Sequence, residues 1–207
     1  MLGQAAIAMW CDIAPHVKSE FEDWHSHEHM PERLAIPGFL RGTRWTDVSG
    51  EKYFILYELD QLATLTGPAY FERLNNPTPW SRRMMPHHRN MVRGLCAVRA
   101  RFGGGLPRAL ATLRFTPSGP PSLDGELEKL ALRKGLTGAH LLESQPMPTK
   151  QTTEQNIRGG DARADWVVLI GGYDLDAVRH ASEELRLSGA VVGFYSPVYS
   201  LSERDFA

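Results

Sequence analysis

Cysteine is scarce in this chain, with Cys11 and Cys96 the two among 207 residues. Two thiols build no disulfide framework and suit a reducing compartment. Long apolar runs are missing too. No stretch approaches the roughly 18 uninterrupted apolar residues of a membrane helix. The opening Met1–Ala6 carries no basic segment ahead of an apolar core, which argues against a secretory signal. A cytoplasmic protein is expected. Phosphate-cradling and nucleophile motifs are absent: there is no G-x-G-x-x-G, no Walker pattern and no G-x-S-x-G. Gly103-Gly104-Gly105 runs into Leu106-Pro107 and a strand, where a phosphate loop would open a helix. Net charge is also lacking, at −1, which argues against a general nucleic-acid binder.

What is present is an ordinary globular composition, 42% hydrophobic and 23% charged, with its charges segregated. Residues 1–72 hold 5 basic and 11 acidic side chains, residues 73–123 hold 9 arginines and no acid, and residues 124–207 hold 9 basic and 13 acidic. Any functional reading must account for that basic middle.

Period and punctuation place the elements. A strand is expected over residues 4–13 and a helix over about 16–29, with Val17, Phe21 and Trp24 on its apolar stripe. Pro31 predicts a kink or stop near His29–Met30, and a short turn, Glu32–Ile36, leads to the breaker Pro37-Gly38. Strands over 39–48 and 53–59, a helix over 61–75, an irregular Pro/Met/Arg/His segment over 76–90 and a strand over 91–102 follow. Past the glycine linker the same order returns: strand 109–116, helix 122–134 entered from Ser122, strands 138–144 and 165–173, helix 175–187 and strand 190–201. Gly38-Phe39-Leu40-Arg41-Gly42 is echoed by Gly135-Leu136-Thr137-Gly138, and Phe54–Asp60 by Val168–Asp174. The second half differs by a longer polar loop, 145–164, expected to be mobile at its tip.

Strand, helix, strand, strand, helix, strand, given twice, describes two ferredoxin-like βαββαβ units, 1–105 and 106–207, in an α+β fold. Helices are expected on one face of each sheet. The other faces should pack together with a cavity between them. In this topology Cys11 and Cys96 fall on neighbouring strands and are expected close together.

The most unusual string is Trp24-His25-Ser26-His27-Glu28-His29-Met30-Pro31. His25 and His29, at i,i+4, share a helix face and are spaced as two metal ligands are; His27 points elsewhere, so the three do not converge on one ion. The alternative for His25 and His27 is a solvated helix face. His29 has the stronger case for chemistry, because a histidine at a helix end beside a sheet is placed to exchange a proton near neutral pH. Its alternative is a C-cap donating to backbone carbonyls. Strand parity proposes Trp10, Tyr57, Arg44, Arg93 and Arg99 as cavity-lining groups, with aromatic walls and arginine forks for an anion. Arg93, Arg99 and Arg101 are expected on one strand face. The segment Trp80–Arg89 is either a lid or a docking patch, or a partner for the acidic first helix through Arg82, Arg83 and Arg89; the last is favoured.

Trp24 with His29-Met30-Pro31, then Pro37-Gly38-Phe39 opening a strand with Arg44, resembles the EthD-type branch of the dimeric α+β barrel superfamily. The likeness covers about the first 100 residues by motif. It implies a ligand cavity between sheet and helices with His29 at the family's histidine position. It also implies a range of activities: cofactor-free monooxygenases, cyclases, lactone isomerases and haem-handling enzymes. The helix of the second half lacks the Trp, His and Pro. The leading expectation is a cofactor-independent enzyme acting on a small aromatic, polyketide-like or lactone-like substrate. In it His29 moves a proton, Arg44 or Arg99 holds an oxyanion, and Trp10, Trp24 and Tyr57 shape the pocket with Arg93. The rivals are a non-catalytic binder of a small hydrophobic acid and a haem barrel with an axial histidine. Expected partners are a small, anionic ligand and a second copy of the chain, the homodimer argued from exposed sheet edges; no nucleic acid or membrane is expected.

Overall fold

The computed structural model describes residues 1–117, 122–146 and 151–206. In chain order its elements are β1 (Ala5–Ile13), α1 (Lys18–Trp24), a π-helical turn (His25–His29), α2 (Met30–Leu34), β2 (Phe39–Thr46), β3 (Lys52–Leu59), α3 (Pro68–Asn75) and α4 (Pro79–Met84). There follow β4 (His88–Gly103), β5 (Ala109–Phe115), α5 (Asp124–Ala131), β6 (Leu136–Ser144), α6 (Thr153–Arg158), β7 (Ala162–Arg163), β8 (Trp166–Gly172), α7 (Leu175–Glu184) and β9 (Val191–Ser202). No helix among the described residues is long and apolar enough to cross a membrane.

The long strands form a closed ring. β4, β1, β3 and β2 are neighbours in that order, β2 pairs with β9, then β9, β5, β8 and β6 follow, and β6 returns to β4. Every one of these pairings is antiparallel. The four strands of each half thus stand in the same order. Gly38 and Gly135 precede the equivalent strands β2 and β6 with φ of +94° and +90°. A Cβ on Gly38 would strike the Asp60 and Thr64 side chains and one on Gly135 the Ala177 side chain, so only glycine serves at these turns. The fold class is the α+β arrangement read from the sequence, with the two sheets joined at their edges into a closed barrel. The edges on which a homodimer was argued are consumed within the chain.

Three apolar clusters follow. Ala6, Ala8, Trp10, Trp45, Phe54, Leu56, Cys96, Leu110, Leu142, Val167, Leu169 and Tyr195 fill the barrel interior. The space between the sheets is therefore filled by packed side chains. Outside, α1 to α4 cover the first half through Phe21, Trp24, Met30, Tyr70 and Met84 against Ile7, Tyr53, Ile55 and Tyr57. Leu127, Leu130, Val178 and Ala181 of α5 and α7 cover the second half against Leu113, Leu141 and Ile170.

Several expectations need correction. The helix expected over 61–75 breaks into a 3-10 turn, Leu62–Thr66, and α3, because Pro68 disfavours helical angles at Gly67. α5 starts at Asp124 with no side-chain cap, so Ser122 does not open it. Cys11 packs against the helices and Cys96 inside the barrel. Since Cys96 pairs with Ala6, five residues along β1 from Cys11, the two thiols are on opposite faces and apart. Burial pushes both thiols up to about 12, the form of an inert, protonated sulfur. The loop 145–164, of which 147–150 lie outside the described residues, folds into α6 and β7. A capping box at Thr152 and Gln155 starts α6, and Gly159 ends it with φ of +87°.

α6 does not cover its own half. It crosses to the first, where Arg33 pairs with Glu154, Arg158 with Asp161 at 2.9 Å, and Arg93 with Asp161 at 3.6 Å and with the Tyr70 hydroxyl. All five charged side chains are at most 8% exposed. Removing one partner leaves an uncompensated buried charge, whereas removing both does not. Glu154→Ala is expected to lower stability by about 3–5 kcal/mol. The double variant Arg33→Met/Glu154→Leu should recover most of that loss, both read from urea midpoints at unchanged m-value.

Candidate active site

The site begins with a proline. In a regular helix the Pro31 ring would strike the carbonyl one turn back and leave it without its bond. The helix does not stop there. It widens into the π turn His25–His29, with the Met30 N–H bonded to the His25 carbonyl, and continues as α2 through Pro31 to Leu34. The wide turn buries both histidines beneath the helix layer: His25 is 1% and His29 8% exposed, with their rings 5.8 Å apart. His29 packs on the Trp24 indole at 4.5 Å. His27 remains on the exposed face, its Nδ1 bonded to the Asp23 carbonyl. Neither the solvated-face reading of His25 nor the C-cap reading of His29 describes these burials.

Around the two histidines lies a cavity of about 20 Å³, lined by Trp24, His25, His29, His88, Met9, Ile55, Met85, Met91 and Arg158. That is room for a water-sized molecule. Its polar groups come from three segments distant in sequence: the π turn, the start of β4 and the crossover helix α6. Glu28 holds the wall in place, accepting from Thr78 Oγ1 at 2.5 Å and from the Trp24 indole N–H at 3.1 Å. The buried Nδ1 atoms of His25 and His29 have no hydrogen-bond partner among the described residues. His25 Nε2 lies 3.4 Å from the Tyr57 hydroxyl. His88 donates from Nδ1 to the Met85 carbonyl at 3.1 Å, so its neutral ring keeps Nε2 as an acceptor.

Electrostatics hold all three rings neutral. Burial pushes His29 well below the ordinary histidine range, and the cations Arg33 and Arg158 with the other two imidazoles push the same way. Burial and then Arg44 do the same to His25. His88 is pushed down to about 4 by burial and then Arg158. The buried network beside them has three arginines (33, 93 and 158) against two carboxylates (154 and 161), an excess of one positive charge. A neutral ring is a proton acceptor without prior loss of a proton.

The predicted residues divide. Trp24 and His29 stand together at the cavity. Tyr57 lies on this helix side but contacts the site through His25, and Trp10 is across the sheet in the barrel interior, donating to Thr112 Oγ1 at 3.0 Å. They were expected on one face; the register opposes Ile7 to Tyr57 and Phe54 to Trp10, so they point to opposite faces. Arg44 donates to the Glu22 carbonyl at 3.1 Å and lies over Tyr199. Arg93 is committed to Asp161 and Tyr70. Arg99 is half-exposed and paired with Glu143, outside the site. A bulge between Val98 and Ala100 reverses the parity of β4, so Arg101 does not share the face of Arg93; it reaches the Gly3 carbonyl at 3.0 Å. Of the segment 80–90, Arg83 approaches Glu20 at 3.6 Å on the surface and Trp80 donates to the same carboxylate. The unforeseen contribution of that segment is Met85 and His88.

His88, Arg158 and Met85 are the residues that sequence reasoning missed. A clue to Arg158 was the one capping-box pattern, Thr152-Thr153-Glu154-Gln155, inside the loop; nothing in the sequence of His88 distinguishes it from His87. No group of three or more His, Cys, Asp or Glu side chains among the described residues is arranged to hold a metal ion. As it stands, the cavity of about 20 Å³ is too small for a haem macrocycle, and no step is derived through one.

No family model and no curated protein matches the sequence. Solved structures do match over nearly the whole chain. A proposed monooxygenase of Fusobacterium nucleatum is 10% identical with a TM-score of 0.58, covering 98% of this chain and 96% of its own. An anthrone oxidase-like protein is 12% identical with a TM-score of 0.57, covering 97% and 94%. A proposed chlorite dismutase is 11% identical with a TM-score of 0.51, covering 94% and 95%. At such identities the shared property is the fold: the chain has the dimeric α+β barrel fold, with one polypeptide supplying the whole barrel.

Proposed function

We propose that the helix-layer cavity is the active site of a proton-transferring enzyme, with His29 as the base and a small aromatic, polyketide-like or lactone-like C–H acid as substrate. The observation that carries this reading is the neutral, buried His29, stacked on Trp24, with an unpartnered Nδ1 beside a cavity that Arg158 also lines. Trp24 supplies a flat wall for an aromatic ring. The proton moves from the substrate carbon to the His29 imidazole, and the electron pair remains on the substrate as an enolate or phenolate. Of the arginines, Arg158 suits that oxyanion. Two of its nitrogens face Asp161, while Nη1 has only the Glu154 carboxylate at 3.9 Å, a loose contact that an anion competes for. Arg44, held at the Glu22 carbonyl and over Tyr199, and Arg99, paired with Glu143 near the surface, do not line this cavity.

The low basicity of His29 is consistent with such chemistry. Burial and the surrounding cations disfavour its charged form, and an anion formed in the cavity offsets both and raises the basicity as the proton arrives. The cavity as it stands holds a water-sized molecule, so a ring-sized substrate enters by displacing α6, which is tied down by Glu154 and by the Thr153 N–H on Asn75 Oδ1 at 3.2 Å. A neighbour of the same fold carries the name anthrone oxidase-like, and anthrone is a C–H acid of the right class.

Deuterium exchange from solvent into anthrone, followed by NMR, reads proton abstraction directly. Catalysed exchange is expected, and His29→Gln should slow it by about 10²–10⁴-fold. An equal rate in the variant overturns the assignment and leaves a binding role for the cavity. Because His29 must be neutral to accept, the exchange rate should be flat around neutrality and decline only well below the ordinary histidine value of 6.5.

Stability has the same sign. The folded pKa values are depressed, so above about pH 6.5 folded and unfolded states bind equal protons and nothing is lost. Below it the unfolded chain takes up protons that the folded rings refuse, and stability falls. Unfolding midpoints between pH 7 and about 5 should fall less steeply for His88→Gln than for wild type.

A further inference from the structure

The barrel has a second cavity, on the opposite face of the sheet from the histidines. It is about 450 Å³ and is lined by Val92, Arg114, Phe115, Thr116, Arg163, Ala164, Asp165, Ser188, Gly189 and Val191. That volume is in the ordinary range for small-molecule sites. It lies at the mouth reached by the end of β5, above the Trp10 and Tyr195 side of the interior core.

Arg114 is the feature that asks for a ligand. It stands at the interior-facing position after Leu110 and Thr112, and its guanidinium lies over the Trp10 indole at 4.8 Å. Trp10 is itself pinned by its bond to Thr112, so the cation rests on a fixed platform. Arg114 is half-buried, and burial disfavours its charged form, yet it has no carboxylate or hydrogen-bond acceptor among the described residues. The other charges at this mouth are spoken for. Arg163 approaches Asp165 at 3.4 Å and donates to the Ser144 carbonyl at 3.1 Å, and Asp165 accepts from Thr116 at 2.6 Å. A guanidinium held over an indole face still offers its fork of N–H donors, and that fork matches a carboxylate with two parallel bonds. Val92, Ala164 and Val191 give the cleft apolar wall beside it.

We infer that this barrel mouth binds a small organic monocarboxylate, its carboxylate on Arg114 and its apolar body against Val92, Ala164 and Val191. The site is separated from His29 by the sheet, so its occupancy does not depend on the chemistry proposed above.

Calorimetric titration of the full chain with benzoate tests this. Saturable binding with millimolar affinity is expected in wild type and in His29→Gln alike. Arg114→Met should weaken it about tenfold or more with the circular dichroism spectrum unchanged. Arg114→Lys keeps the charge and loses the fork; it covers the case in which the methionine variant does not fold, and it should weaken binding several-fold. Absence of saturable binding to wild type overturns the proposal, as does undiminished binding by Arg114→Lys. Loss of binding in His29→Gln would place benzoate in the helix-layer cavity and overturn it equally. Inorganic phosphate that binds as tightly as benzoate would overturn the assignment to a carboxylate with an apolar body.

Discussion

The structure of the candidate site depends on the buried ionic seam that α6 brings to the first half of the chain. Three arginines and two carboxylates, drawn from α2, β4, α6 and the turn before β7, are enclosed together. Because the seam has one cation in excess, its field reaches the adjoining imidazoles with a positive sign, and burial acts the same way. Three histidines are kept neutral in a protein whose net charge is near zero. The seam also closes the cavity, since Arg158 is both a member of it and a wall of the site. An exposed ion pair would be screened and worth little; enclosed, these charges reinforce the burial that keeps the three imidazoles neutral.

The barrel wall separates two compartments. It is one strand thick, and alternate residues of each strand serve different compartments. Along β1, Met9 faces the histidine cavity and Trp10 the interior beneath Arg114. The basic block at residues 73–123 resolves along the same division. Arg93 belongs to the seam, Arg99 and Arg101 are satisfied near the surface, and Arg114 stands at the opposite mouth without an acidic partner among the described residues.

Much of the architecture was legible because it rests on local rules. Strand alternation, the breakers Pro37-Gly38 and Gly103–Gly105, and the repeated order of elements lead to two ferredoxin-like βαββαβ units of an α+β fold; the barrel is what the family resemblance adds. The site was legible in part. Trp24 and His29 are close in sequence, so the motif identifies them, and the π turn between them brings the two rings together. His88 and Arg158 arrive from about 60 and 130 residues away, and no local pattern encodes that meeting. The loop 145–164 looked mobile because it is polar, and polarity is also what a buried ion network requires.

By itself the sequence determined which side chains share a face within an unbroken stretch of strand, where the helix must respond to Pro31, and which histidines lie near a tryptophan. It did not determine which face of one strand agrees with which face of the next. That depends on inter-strand register and on one bulge at Arg99, where a single extra residue reverses every side chain beyond it. Register is set by closure of the whole ring, a non-local condition. The tertiary structure therefore decided that Tyr57 and Trp10 part company, that Pro31 widens the helix and does not end it, and that a helix from the second half completes the site in the first.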